Sequence, residues 1–179
     1  MILTGLEIVN EIKAGRIEIS PFAKGRVNPN SYNLTLNQKL LKYKSYELDM
    51  KAKPDVEEII IPPDGLVLAP DVLYLGRTNE LTFTDSYVPM LEGRSSIGRL
   101  GLFVHVSAGF GDVGFDGYWT LELHCIQPIR IYPNVEICQI YYHVPQGRLT
   151  YYGDNAKYNW NTDVQPSFLY KEFLNEARN

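Results

Sequence analysis

Cysteine is scarce: Cys125 and Cys138 are the only two in 179 residues, and they lack the spacing of a structural zinc site. Both stand in apolar, strand-like runs, so buried free thiols are expected rather than a disulfide. No window approaches the roughly 20 apolar residues of a membrane span. Positive charge is short as well, since 17 Lys and Arg against 21 Asp and Glu leave a net charge of −4. That balance argues against general nucleic-acid binding, which needs a basic footprint, but not against a local pocket for one phosphorylated ligand. The three histidines, His105, His124 and His143, show no metal-ligand spacing, and no H-x-E with P-C-x-x-C marks a zinc deaminase. Nucleophile-elbow, Walker and dinucleotide motifs are missing too. Met1-Ile-Leu-Thr4 runs straight into a helix signal with no basic and apolar leader pattern, so a cytoplasmic protein is expected.

What is present suits one domain over residues 1–179 with a real core. Thr4-Gly-Leu-Glu7 has the pattern of a capping box, Leu6, Ile8, Val9 and Ile12 form an apolar stripe, and Gly15 is a natural stop. The period then changes to two. Segments 32–36, 58–61, 72–75, 81–84, 118–123 and 136–142 read as strands, separated by turns such as Pro62-Pro-Asp-Gly65 and Tyr132-Pro-Asn134. The expected fold is therefore mainly β, an antiparallel sandwich, jelly roll or distorted barrel, with a short N-terminal helix. A second short helix fits Arg94–Leu102. Residues 151–165, polar and aromatic without a period, read as a C-terminal arm or lid, and 171–177 as a last short helix.

Chemistry-bearing residues concentrate between Arg94 and Glu122. Arg94-Ser95-Ser96 with Arg99 one helical turn later could cradle an anion through hydroxyls, helix amides and guanidinium groups; the plainer reading is an N-cap serine between solvated arginines. Glu122 alternates with Leu121 and Leu123, which places it with Thr120 on one strand face, either solvated or lining a cleft where it could activate water. Asp112 lies in the glycine-dense run Ala108-Gly-Phe-Gly-Asp-Val-Gly-Phe-Asp-Gly117, which suits a hairpin loop or a backbone that approaches a hydroxylated ligand. Asp116-Gly117 is the expected turn itself.

Together, Arg94-Ser-Ser-x-x-Arg99-Leu-Gly-Leu, His105-Val-Ser-Ala108-Gly, Gly111-Asp112-Val-Gly-Phe-x-Gly117 and Thr120-Leu-Glu-Leu123 resemble the dCTP deaminase branch of the trimeric dUTPase-like superfamily. The resemblance extends to Asn28-Pro-Asn-Ser-Tyr-Asn-Leu-Thr-Leu36 and to Lys157-Tyr158. It implies a distorted jelly-roll or barrel protomer in a homotrimer whose active sites are shared between subunits. It also implies hydrolytic deamination of dCTP to dUTP and ammonia without zinc, the triphosphate entering as its Mg²⁺ complex. By the same resemblance Arg94, Ser95 and Ser96 grip phosphates, and Asp112 holds the sugar 3′-hydroxyl. Glu122 is the base, with Ser95 and Arg99 beside it as catalytic partners, while Ala108 and Thr120 contact the nucleotide. Tyr151, Lys157, Tyr158 and Asn161 belong to the closing arm.

The expected small-molecule partners are dCTP and dUTP, with dTTP as a candidate inhibitor. Ala108-Gly109-Phe110 resembles the bifunctional members that also release pyrophosphate and form dUMP, which is the alternative outcome. A non-catalytic nucleotide sensor is the alternative of another class. Departures from the family pattern are Asn33 in place of Asp, Gly111 in place of a bulky aliphatic, and Asn161 and Asp163 in the arm.

Overall fold

The computed structural model describes residues 1–105, 108–153 and 156–176. Its spine is β6 (Tyr74–Thr84), which pairs antiparallel with β1 (Ile17–Ser20), β3 (Lys39–Tyr43) and β9 (Asp116–Cys125). Outside β3 lies β4 (Val56–Ile60), and outside β9 lies β8 (Leu102–Phe103), completing a six-stranded sheet. A three-stranded sheet places β11 (Glu136–His143) between β2 (Tyr32–Thr35) and β7 (Val88–Gly93). A small pair joins β5 (Leu66–Leu68) to β10 (Ile129–Ile131). The core gathers the inward residues of these sheets, with Leu34, Leu40, Leu121, Leu123 and Ile140 fully buried. Cys125 and Cys138 are buried free thiols, each held above the ordinary thiol range by burial.

Helix α1 (Gly5–Lys13) starts where Thr4 Oγ1 accepts the Glu7 N–H at 3.3 Å and ends before Gly15 at φ +75°. The expected capping box is half made, because the Glu7 carboxylate accepts from Asn10 rather than reaching back. The expected stripe also rotates: Gly5, Ile8 and Glu11 are buried while Leu6 is 79% exposed. Gly5 lies against the Asn28 carbonyl, where any Cβ would clash, and this contact fixes which face turns inward. Glu11 follows inward because Arg16 and Tyr87 meet its carboxylate.

Two expected strands are one. Residues 74–84 form a single strand interrupted by a register shift between Arg77 and Leu81, whereas Val72 and Leu73 precede it. Glu80 shares the inward face with Thr78 and Thr82 and is fully buried, where it pairs with Arg26 and accepts the Thr35 N–H at 2.8 Å and the Thr35 hydroxyl at 2.7 Å. The polar stretch Arg77-Thr-Asn-Glu80 reads as a break between strands in sequence, but here partners far along the chain satisfy it. Asp116-Gly117 likewise opens β9 instead of turning; the turn falls at Val113-Gly114, with Gly114 at φ +92°. Helix α2 (Ser95–Gly98) is one turn, capped by Arg94 without any side-chain bond, so Ser95 is not its N-cap. Helix α3 (Tyr170–Glu176) takes up the expected last helix, and Ala177 lies outside the described residues.

Candidate active site

Strand β9 builds the floor of the site by alternation. Trp119, Leu121, Leu123 and Cys125 are buried, while Thr120, Glu122 and His124 take the opposite face. That face is roofed by the C-terminal segment, leaving a cleft of about 730 Å³ that Thr120, Glu122, His105, Ala108, Asp112 and Tyr158 all line. Its volume suits a drug- or nucleotide-sized ligand. The Glu122 side chain is 32% exposed, so it faces the cleft and not open solvent.

Spacing does not single out His105, yet it stands deep in the site. Its side chain is 6% exposed, Nδ1 lies 3.6 Å from Glu122 Oε2, and neither ring nitrogen has a hydrogen-bond partner among the described residues. The backbone is held at φ +55°, a conformation that costs energy outside glycine. The ring meets Trp119 edge-on at 6.2 Å. Phe115 packs against Trp119 at 4.9 Å and Tyr152 at 6.2 Å, giving one aromatic wall near Asp112. No sequence period connects these residues, because they come from separate loops and strands. Val106 and Ser107 of the His105-Val-Ser-Ala108 motif lie outside the described residues.

The glycines of the 108–112 loop let it sit tightly on β7. Leu91 N–H donates to the Gly109 carbonyl at 2.7 Å and Gly111 N–H to the Pro89 carbonyl at 2.9 Å, and a Cβ at Gly111 would strike Pro89 and Trp119. The Gly111 departure thus has a packing reason. It brings the backbone before Asp112 under the indole.

The C-terminal segment crosses β9 and is tied down at several points. Asn161 acts as a strand partner through its side chain: Oδ1 accepts the Tyr118 N–H at 2.9 Å, and Nδ2 donates to the carbonyls of Tyr118 at 2.9 Å and Tyr158 at 3.1 Å. Both of its N–H groups are therefore engaged. Next to it, Asp163 accepts from Lys39 at 2.8 Å, Arg77 at 3.2 Å and the Val164 N–H at 2.8 Å. Burial pushes the Asp163 carboxyl up, but these bonds outweigh it and the net position is below the ordinary range. Gln165 N–H donates to Thr120 Oγ1 at 3.2 Å and Ser167 N–H to the Tyr43 hydroxyl at 3.1 Å. Burial raises the Tyr43 hydroxyl, offset in part by that bond. The arm read from sequence is a strap, and its two departures from the family pattern are its rivets. Asp154 and Asn155 within it lie outside the described residues.

The remaining residues singled out from sequence fall elsewhere. Tyr151 is 61% exposed, and the cleft receives Tyr152 instead. Lys157 pairs with Glu172 at the surface. Ser95, Ser96 and Arg99 are exposed on α2 and its cap, and Arg94 packs against Glu136; none lines the cleft of its own chain. Because α2 is a single turn, its amides and dipole add little there, and any anion grip rests on hydroxyls and guanidinium groups. No group of three His, Cys, Asp or Glu side chains suited to holding a metal ion occurs among the described residues. Nor is any described helix long and apolar enough to cross a membrane.

A mainly β body with a carboxylate cleft on one strand face is a fold shared with a solved enzyme. The solved 2′-deoxycytidine 5′-triphosphate deaminase from Agrobacterium tumefaciens superposes with a TM-score of 0.65 at 18% identity, over 83% of this chain. The likeness is one of fold, and the chain spans about half of that protein (49%). The family described as dCTP deaminase-like matches residues 2–144, and the chain belongs to that family. A protein named "dCTP deaminase, dUMP-forming" from Clostridium botulinum (strain Alaska E43 / Type E3) is 61% identical over 97% of this chain and 99% of its own length. Proteins of the same name from Cytophaga hutchinsonii and Leptospira biflexa are 58% and 54% identical, each over 97% of this chain, and are themselves covered over 99% and 98% of their lengths.

Proposed function

We propose that the chain deaminates dCTP and carries the product through to dUMP, with release of ammonia and pyrophosphate. The observation that carries the chemistry is Glu122, a carboxylate facing a nucleotide-sized cleft with Asp112 and the Ala108 backbone around it. The shared name of the relatives supports dUMP over dUTP as the final product, the alternative of the two outcomes expected from sequence.

In this reading Glu122 takes a proton from water as the oxygen adds to C4 of cytosine. That proton passes to N3, and the proton of the new C4 hydroxyl is carried to the exocyclic amine, so that the C4–N bond breaks, ammonia leaves and the oxygen becomes the C4 carbonyl. His105 steadies the carboxylate from its buried side, and the aromatic wall with the Asp112 carboxylate seats the deoxyribose. General acid–base help of this kind is worth roughly 10²–10⁴ in rate, so positioning and electrostatics supply the rest. A second water then splits the α–β anhydride. Mg²⁺ enters as part of the nucleotide substrate, held by phosphate oxygens.

Arg94, Ser95, Ser96 and Arg99 reach a triphosphate in this reading only from a neighbouring copy, which is the support for a homotrimer with shared sites. Arg99 and Ser95 of that copy would approach the reacting base opposite Glu122. The strap, anchored by Asn161, with Tyr158 on the cleft, closes over the nucleotide; dTTP is the natural competitor for the same site. Incubation with dCTP and Mg²⁺ followed by separation of products tests the proposal. The expected products are dUMP, pyrophosphate and ammonia; accumulation of dUTP alone would overturn the second step, and binding without turnover would leave a nucleotide sensor.

A further inference from the structure

The second sheet holds a polar chain that the catalytic reading does not use. It begins at a bulge in β11. Thr35 pairs with Glu136 and Leu34 with Cys138, so Ile137 is an extra residue, and Ile137 and Cys138 both point into the core. A regular strand would put Glu136 and Gln139 on opposite faces. The bulge puts them on the same face, which is the usual work of such an insertion beside a site.

On that face the side chains form a directed hydrogen-bond chain. Asn28 Nδ2 donates to Asn33 Oδ1 at 2.7 Å and to Ser31 Oγ at 3.1 Å. Asn33 Nδ2 donates to Glu136 Oε2 at 2.7 Å, and Ser31 Oγ donates to Gln139 Oε1 at 2.8 Å. Both branches end at the same place. Gln139 Nε2 donates to the carbonyl of Gly93 at 3.4 Å, and Glu136 receives Arg94 twice, through its carbonyl at 2.7 Å and its carboxylate at 3.2 Å. Asn33 and Ser31 are buried, so the chain's base is fixed while the guanidinium, about one-third exposed, is presented at the surface beside Ser95 and Ser96. One guanidinium N–H donates to the Glu136 carbonyl and the carboxylate lies beside Nη2 as an ion pair, which leaves further N–H donors for a ligand.

We infer that Glu136 is a positioning residue that aims Arg94 at the phosphates, and that Asn33 sets the carboxylate's direction. The inference rests on the proposed role of Arg94. The amide at position 33 is required by its neighbours, because it must accept from Asn28 and donate to Glu136. An aspartate there could only accept, and it would set two carboxylates against each other. The Glu136 carboxylate would then swing away from position 33 and take Arg94 with it.

The experiment compares steady-state kinetics on dCTP for Asn33→Asp, Glu136→Ala, Arg94→Ala and the double variant Asn33→Asp/Glu136→Gln, with melting temperature measured for each. Asn33→Asp and Glu136→Ala are expected to raise KM about tenfold with kcat changed far less, as loss of a binding contact does. The double variant exchanges donor and acceptor. Its amide at position 136 can donate to the carboxylate at position 33 while the amide oxygen still receives Arg94, and it should return KM to within about threefold of the native value. A role confined to stability would lower the melting temperature and leave KM alone, which would overturn the inference, as would failure of the double variant to rescue KM in a folded protein. If Arg94→Ala itself leaves KM unchanged, the phosphate role of Arg94 is what fails.

Discussion

Nδ1 of His105 stands 3.6 Å from Oε2 of Glu122, on a buried ring whose nitrogens have no other partner among the described residues. A strained backbone and an edge-on Trp119 hold the ring there. In the proposed reaction this ring is what steadies the carboxylate. His105→Ala should therefore lower kcat by roughly ten- to a hundredfold while KM for dCTP stays near its native value. An equal loss in both parameters, or none, would remove His105 from the mechanism.

Glu122→Gln keeps the shape of the cleft and removes the proposed base. Ammonia release should fall by at least about 10², with dCTP binding by calorimetry retained. Full-rate deamination by this variant would exclude Glu122 as the base.

If α2 of one subunit completes the cleft of another, two dead variants can repair each other. Glu122→Gln and Arg99→Ala, unfolded together and refolded as mixed trimers, should regain about a quarter of native activity, because that fraction of sites receives both intact residues. Activity no higher than that of the separate variants would place both groups in one chain's site.

The Asp163 carboxylate ties the strap to β3 and β6 through Lys39 and Arg77. Its own side chain is 43% exposed, so the global cost of Asp163→Ala should be small, under about 1 kcal/mol. The local effect should be larger. Cleavage by a protease within 157–168 should become faster, and KM should rise, with little change in melting temperature. Unaltered cleavage would show that the contacts of Asn161, Gln165 and Ser167 hold the strap without Asp163.

Glu11 carries a pH dependence. The hydrogen bond from Arg16 lowers its carboxyl below the ordinary 4.5, against burial and with help from Tyr87. A group depressed in the folded state stabilises it above the unfolded value and loses that contribution as pH falls through the folded value. Native protein should thus lose stability steadily below pH 4.5, the value the group has when unperturbed, and Glu11→Gln should be less stable at neutral pH with a flatter acid limb. Chemical denaturation at a series of pH values measures both.

Alternation makes β9 readable: Leu121 and Leu123 inward and Glu122 outward follow from a period of two, and the Pro, Gly and Asn turns bound the strands. The dense motif from Arg94 to Glu122 marks the family by order and spacing, in agreement with the match over residues 2–144. Asp116-Gly117 reads as a turn only while turn residues are weighed without Asn161, which packs on Gly117 and holds it in β9. Leu6 reads as part of a buried stripe because nothing local says which side of α1 meets the Asn28 carbonyl.

The sequence by itself determined the mainly β composition, the inward and outward faces of its strands, and the residue types suited to an anionic ligand, because these depend on periods and local chemistry. Only the tertiary structure decided that Glu122 faces a roofed cleft rather than solvent, that His105 stands behind it, and that Asn161 and Asp163 fasten the strap. It also separated the Arg94–Arg99 turn from the cleft of its own chain. Those outcomes rest on contacts between residues far apart along the chain, such as Lys39 with Asp163 and Tyr118 with Asn161, which no local pattern encodes.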